Sequence, residues 1–126
     1  MRELPTVLLK HTTAQGTHYD WLLAHPDDGL PDGRLWTARV DHPSSDWPGL
    51  LVWNLTPIEP HRREYLTNQG PISGGRGTVT RVDEGVFVPQ LWTDSRIVID
   101  LRFAHAANRV GLTRLNDALW QARWLP

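Results

Sequence analysis

The chain contains no cysteine, which removes disulfides, thiolate metal sites and thiol nucleophiles at once. That absence also fits a reducing cytosol. Lysine is nearly missing as well: Lys10 is the sole example, and arginine supplies every other basic side chain. A GC-rich coding sequence explains this bias most simply, although the planar guanidinium also suits two-pronged phosphate recognition. Neither charge sign is in excess. The 13 Lys and Arg against 14 Asp and Glu leave a formal net charge of -1, which argues against extensive coating of duplex nucleic acid. A local basic patch around a phosphate stays open. No apolar run approaches the ~20 residues of a membrane-spanning helix. Met1 to Pro5 lacks the apolar stretch of a secretory leader. These absences predict a cytoplasmic protein with no membrane partner. No repeat or long linker interrupts the 126 residues, so a single domain spanning 1–126 is expected, long enough to bury a core unaided.

What is present is a series of short runs rich in Val, Ile, Leu, Thr and Trp, broken by Gly, Pro, Asp and Asn. That is an all-β pattern. Strands are expected at Thr6 to Lys10, His18 to Leu23, Leu35 to Val40, Leu50 to Leu55, Glu64 to Gln69, Gly77 to Val82, Val86 to Gln90, Arg96 to Phe103, Arg109 to Arg114 and Gln121 to Leu125. Asp27-Asp28-Gly29, Pro31-Asp32-Gly33, Gly74-Gly75 and Asp83-Glu84-Gly85 read as turns, because Gly and Asp tolerate positive φ. Ile97, Ile99, Leu101 and Phe103 alternate with Val98, Asp100 and Arg102, as in a barrel wall. Only Leu115 to Trp120 looks helical, as a single turn capped by Asn116 or Asp117. The expected architecture is a compact, closed or nearly closed β-barrel with little helix. The 7 tryptophans read mainly as core, with one or two exposed rings left open as stacking surfaces for a nucleobase.

The densest chemistry lies between His11 and Leu22. Residues two apart on a strand share a face, so His18 and Asp20 point together and Tyr19 and Trp21 point away. Thr12 to Thr17 contains Gly16 and can turn the chain, which brings His11 beside His18. Two imidazoles and a carboxylate suit Mn²⁺, Zn²⁺ or Fe²⁺, and three protein ligands leave positions open for water or substrate. The bland alternative is a cluster in which these groups simply hydrogen-bond one another. His61 and Tyr65 form a second candidate, as acid, base or phosphate donor; a polar loop is the alternative there. The glycine-rich segment from Gly70 to Thr78 is a third, with backbone N–H groups and Arg76 facing an anion. A glycine hairpin is the alternative, and the segment lacks the Gly-Lys-Ser/Thr element of a P-loop. His25, His42 and His105 read as solvent-exposed.

Taken in order, Lys10-His11, His18-Tyr19-Asp20-Trp21, Pro60-His61 with Tyr65, and Gly70-Pro71-Ile72 through Val79 resemble the phosphoesterase module of bacterial DNA ligase D. That module also occurs as small stand-alone proteins. The resemblance runs from about Val7 to Phe103. It implies an eight-stranded barrel and a divalent-metal centre, with Mn²⁺ first and Zn²⁺ or Co²⁺ as alternatives. His11, His18 and Asp20 would be the ligands. His61 would contact the scissile phosphate, with Tyr65 beside it as a second catalytic group. The implied activity is trimming of DNA 3′ ends, removing a 3′-phosphate or a 3′-ribonucleotide during repair. The implied partners are DNA or RNA/DNA 3′ ends and a separate repair ligase or polymerase, with the protein itself a monomer.

The chain departs from that family in three ways. The family has an Arg two residues after the Asp, where this chain has Leu22. The loop between the two ligand histidines is one residue longer, and the Lys that follows the Trp-containing strand has no counterpart. Arg76, Arg62 or Arg63 would have to supply the missing phosphate contact, with Arg76 the first choice. Two other functions compete with 3′-end processing. One is a module of the same fold that binds metal and a phosphate or DNA end without turnover. The other is an iron oxygenase using His18, Asp20 and either His61 or His105.

Overall fold

The computed structural model describes residues 2–26, 33, 35–67, 69–72 and 75–126. The fold is all-β, as the alternation predicts. The strands are β1 (Leu4–Thr13), β2 (Gly16–Leu23), β3 (Leu35–Val40), β4 (Val52–His61), β5 (Gly70–Pro71), β6 (Thr78–Trp92), β7 (Arg96–Phe103), β8 (Ala107–Arg114) and β9 (Trp120–Trp124). Their hydrogen-bonded order is β1-β2-β3-β4-β9-β8-β7-β6-β5, and β1 also pairs with β6. The sheet therefore closes into a ring of eight strands, with short β5 attached to β6. Closure removes the open edges that would otherwise template pairing with another chain.

Alternation divides each strand between the inside and the outside of this ring. Trp21 of β2 touches Phe103 at the end of β7, at a ring-centroid distance of 6.3 Å. These strands are not neighbours, so the contact crosses the interior. Leu8, Trp21, Ala38, Leu55, Ala122, Leu112, Ile97, Ile99, Leu101 and Phe87 are all buried and build that core. Trp47 lies in a 3-10 turn at Trp47–Gly49 and stacks on Trp53 at 5.0 Å. All seven tryptophans make ring contacts and none is exposed, with Trp36, Trp92 and Trp124 half-buried.

Several boundaries differ from the sequence reading. Asp83-Glu84-Gly85 is not a turn: it lies inside β6, which runs unbroken through both strands expected there. The pairing of β1 with β6 shifts register between Leu8 and Leu9, so the chain bends at a bulge beside Asp83 rather than reversing. The buried Asp83 carboxylate accepts hydrogen bonds from Ser44 Oγ and from the N–H groups of Glu84, Ala104 and His105, which holds the bend. Gly85 is there for close approach, because a Cβ would collide with the Arg102 carbonyl.

The strand expected at Glu64 to Gln69 is a 3-10 turn, Arg63–Leu66, which packs onto the outer face of the sheet. Leu115 to Trp120 contains no helix. Asn116 Oδ1 accepts from the Ala118 N–H at 2.9 Å, so it caps a tight loop between β8 and β9 instead. The run at Leu50 to Leu55 extends through Pro57 and Pro60 to His61. The expected turns at Asp27-Asp28-Gly29 and Pro31-Asp32, and Gly74 of Gly74-Gly75, lie outside the described residues.

Candidate metal centre

His11 and His18 come together because the β1–β2 hairpin is tight. Thr13 pairs with Gly16 across an Ala14-Gln15 turn, and Gly16 takes φ 126°. Two rungs further, His11 stands directly opposite His18. Asp20 follows on the same outward face, opposite Leu9 of β1 and Arg39 of β3. Although it faces outward, Asp20 is only 2% exposed. The chain after β4 crosses over this part of the sheet, and Tyr65, Leu66 and Ile72 pack against it.

A cleft of about 560 Å³ opens at this crossing. His11, His18, Asp20, Arg39, Glu59, His61, Arg62, Tyr65 and Arg76 supply its polar lining. A smaller lobe of about 210 Å³ shares Arg62, Tyr65 and Arg76 and adds Glu64 and Gln69. His11, His18, Asp20, His61, Tyr65 and Arg76 thus border one cleft. Leu22 is fully buried and brings no polar group to it. Residues 73–74 of the glycine-rich segment lie outside the described residues. The Ile72 N–H is already bonded to the Gly77 carbonyl at 2.7 Å, so it is not offered to an anion. Gly77, at φ 97°, lets this segment pass against the Thr12 carbonyl, where a Cβ would collide.

The hydrogen-bond pattern identifies the ring nitrogens that face the cleft. His11 Nε2 lies 2.7 Å from the Arg76 carbonyl, which can only accept, so Nε2 carries the proton and Nδ1 presents a lone pair. His61 Nδ1 donates to the Glu59 carbonyl at 3.1 Å, leaving Nε2 free toward Asp20. Carbonyl partners of this kind orient histidine ligands in metal centres. The remaining contacts conflict. His18 Nε2 lies 3.1 Å from His11 Nδ1, 3.3 Å from Arg39 Nη2 and 3.4 Å from Asp20 Oδ2. The Asp20 oxygen and the His11 lone pair each require it to donate, whereas Arg39 requires it to accept. A single ring nitrogen cannot do both.

Asp20 shows the same tension. His61 Nε2 points at Oδ2 from 3.7 Å, and buried Oδ1 has no hydrogen-bond partner. Arg39 Nε lies 3.9 Å from Oδ1, beyond hydrogen-bonding distance. A buried carboxylate oxygen without a partner is costly. One ligand atom each from His11, His18 and Asp20 falls within 4.8 Å of the others. Two lone-pair nitrogens and an under-coordinated carboxylate fit a borderline divalent cation far better than they fit one another. Burial lowers the His18 pKa; the Asp20 charge opposes that shift, and Arg39 and His11 reinforce it. His18 is therefore held in the neutral form that a metal requires.

Arg39 is the cleft residue that the sequence reading missed. Its register opposite Asp20 is a long-range pairing with no local signature. His105 lies elsewhere, 3.2 Å from Asp83, which removes it from any oxygenase-type triad. His25 is half-buried rather than exposed, with its ring edge against Trp92 at 5.1 Å.

No family model matches the chain, and no curated protein matches it.

Proposed function

We propose that this protein is a metal-dependent phosphoesterase that processes DNA 3′ ends in repair, removing a terminal 3′-phosphate or 3′-ribonucleotide. One observation carries the reading. His11 Nδ1, His18 Nε2 and the Asp20 carboxylate, whose Oδ1 has no hydrogen-bond partner, converge in an open cleft that three arginines also line. His11, His18 and Asp20 would hold the ion, with Mn²⁺ proposed and Zn²⁺ or Co²⁺ as competitors. Bound there, the ion would act as a Lewis acid toward a phosphoryl oxygen and would acidify a water.

The chain's own residues account for the rest. His61 is anchored through Nδ1 and presents Nε2 to the cleft, where it would carry a proton to or from a phosphate oxygen. Tyr65 packs on His61 at a ring-centroid distance of 5.2 Å and limits its rotation. The cleft volume suits a terminal phosphate and its sugar rather than a length of duplex. The balanced net charge agrees with recognition of an end and not of a long backbone. A separate repair ligase or polymerase would act on the end so prepared.

A second reading, a module that binds metal and a DNA end without turnover, is favoured by Leu22 alone. Its burial leaves the family's Arg position without charge. A primer–template with a 3′-phosphate or a single 3′-ribonucleotide separates the two. Mn²⁺-dependent product that disappears in His11→Ala and Asp20→Ala is expected. Activity unchanged in those variants would sink the proposal, and bound Mn²⁺ without product would favour the second reading.

A further inference from the structure

The cleft contains a cation held only loosely, at long range, by the Asp20 carboxylate. Arg39 lines the cleft, directly opposite Asp20 in the β2–β3 register, with its side chain half exposed. Among the described residues its polar contacts are His18 Nε2 at 3.3 Å and a long ion pair with Asp20 Oδ1 at 3.9 Å. Of the other arginines that line the cleft, Arg62 pairs with Glu64 at 3.0 Å. A guanidinium this close to a ligand histidine works against a bound cation. A negative group entering between Arg39 and the ligands would relieve that opposition.

We infer that Arg39 is a phosphate-binding guanidinium of this cleft beside Arg76, resting against His18 and Asp20 until a divalent cation takes the carboxylate, and then turning to an anion beside that cation. The inference rests on the metal-centre reading above and adds the residue that replaces the charge absent at Leu22. The mechanism is electrostatic exchange. A cation on Asp20 removes the attraction that holds Arg39, and the same charge attracts the phosphate that Arg39 then grips by two parallel hydrogen bonds. Metal and phosphate binding must therefore strengthen one another, by equal factors in each direction.

The decisive feature is a split in sign. Arg39→Ala removes a repelling charge from the metal site and a binding group from the phosphate site. Mn²⁺ affinity without phosphate, followed by electron paramagnetic resonance, is expected to rise by about threefold, a modest change because the guanidinium is half exposed. Affinity of the Mn²⁺-loaded protein for inorganic phosphate, measured by calorimetry, is expected to fall by about tenfold or more. Arg39→Lys, which keeps the charge but loses the fork, should fall between the two. Equal phosphate affinity in wild type and Arg39→Ala would overturn the inference and leave the metal centre standing. So would weaker Mn²⁺ binding in Arg39→Ala, which would make the residue a prop for the ligands. Failure of the Mn²⁺-loaded wild type to bind phosphate would overturn it equally. Failure of the wild type to bind Mn²⁺ at all would overturn the metal-centre reading and the inference together.

Discussion

On β2, Tyr19 and Trp21 face one way and His18 and Asp20 the other, and the two surfaces follow opposite rules. Inside the ring, polar atoms are matched one to one. Trp21 Nε1 donates to Thr6 Oγ1 at 3.0 Å, and Thr6 Oγ1 donates to the Leu22 carbonyl at 2.7 Å. Trp47 and Trp124 place their indole N–H groups on the His42 and Trp47 carbonyls. Trp53 Nε1 is the exception among the described residues, and it is an uncharged one. On the outer face His18 Nε2 has three claimants and Asp20 Oδ1 has none. Buried polar groups are normally satisfied, so the unsatisfied face is the one shaped by something other than stability. One ribbon thus carries the fold on one side and the chemistry on the other.

That contrast can be broken from either side. Trp21→Ala should produce the largest effect, a loss of about 3–5 kcal/mol in chemical denaturation, because it opens a cavity between Trp47 and Phe103. Metal binding would fail along with folding. Asp20→Asn should do the reverse. Stability measured without metal should change by less than about 1 kcal/mol, since the lost carboxylate oxygen was unpartnered. Mn²⁺ affinity should fall by at least about 100-fold. A large stability loss in Asp20→Asn would show that the outer cluster is structural after all.

The smallest effect is the dependence on pH. The neutral His18 ring is the ligand form, and its pKa lies below the ordinary 6.5. Protons at His18 should therefore erode Mn²⁺ affinity only at pH values below those at which an ordinary histidine titrates, by about tenfold per unit once the ring is protonated. The same depression makes the contribution of His18 to stability complete above its unfolded value and lost as pH falls through its folded value. A drop in affinity centred above 6.5 would contradict the depressed pKa.

Local physics made much of this protein legible. Strict alternation placed β7 and put His18 and Asp20 on one face, because side chains reverse at every residue of any strand. The positive φ available at Gly16 was enough to bring His11 back to His18, since a hairpin needs only its own few residues. The same local rules misled where distant groups intervened. Asp83-Glu84-Gly85 has turn chemistry, yet Asp83 spends its oxygens on Ser44 and the backbone at Ala104 and His105, and the strand continues. Glu64 and its neighbours coil into a 3-10 turn because Leu66 and Tyr65 find apolar cover on the sheet's outer face. Arg39 is the clearest case. Nothing within its own strand marks it, and only the register of β3 on β2 sets it across from Asp20. The residue types and their alternation determined which side chains carry chemistry. Ring closure and the crossing segment decided which of them meet and which oxygen is left without a partner, because burial and register depend on pairings that no stretch of the chain contains by itself.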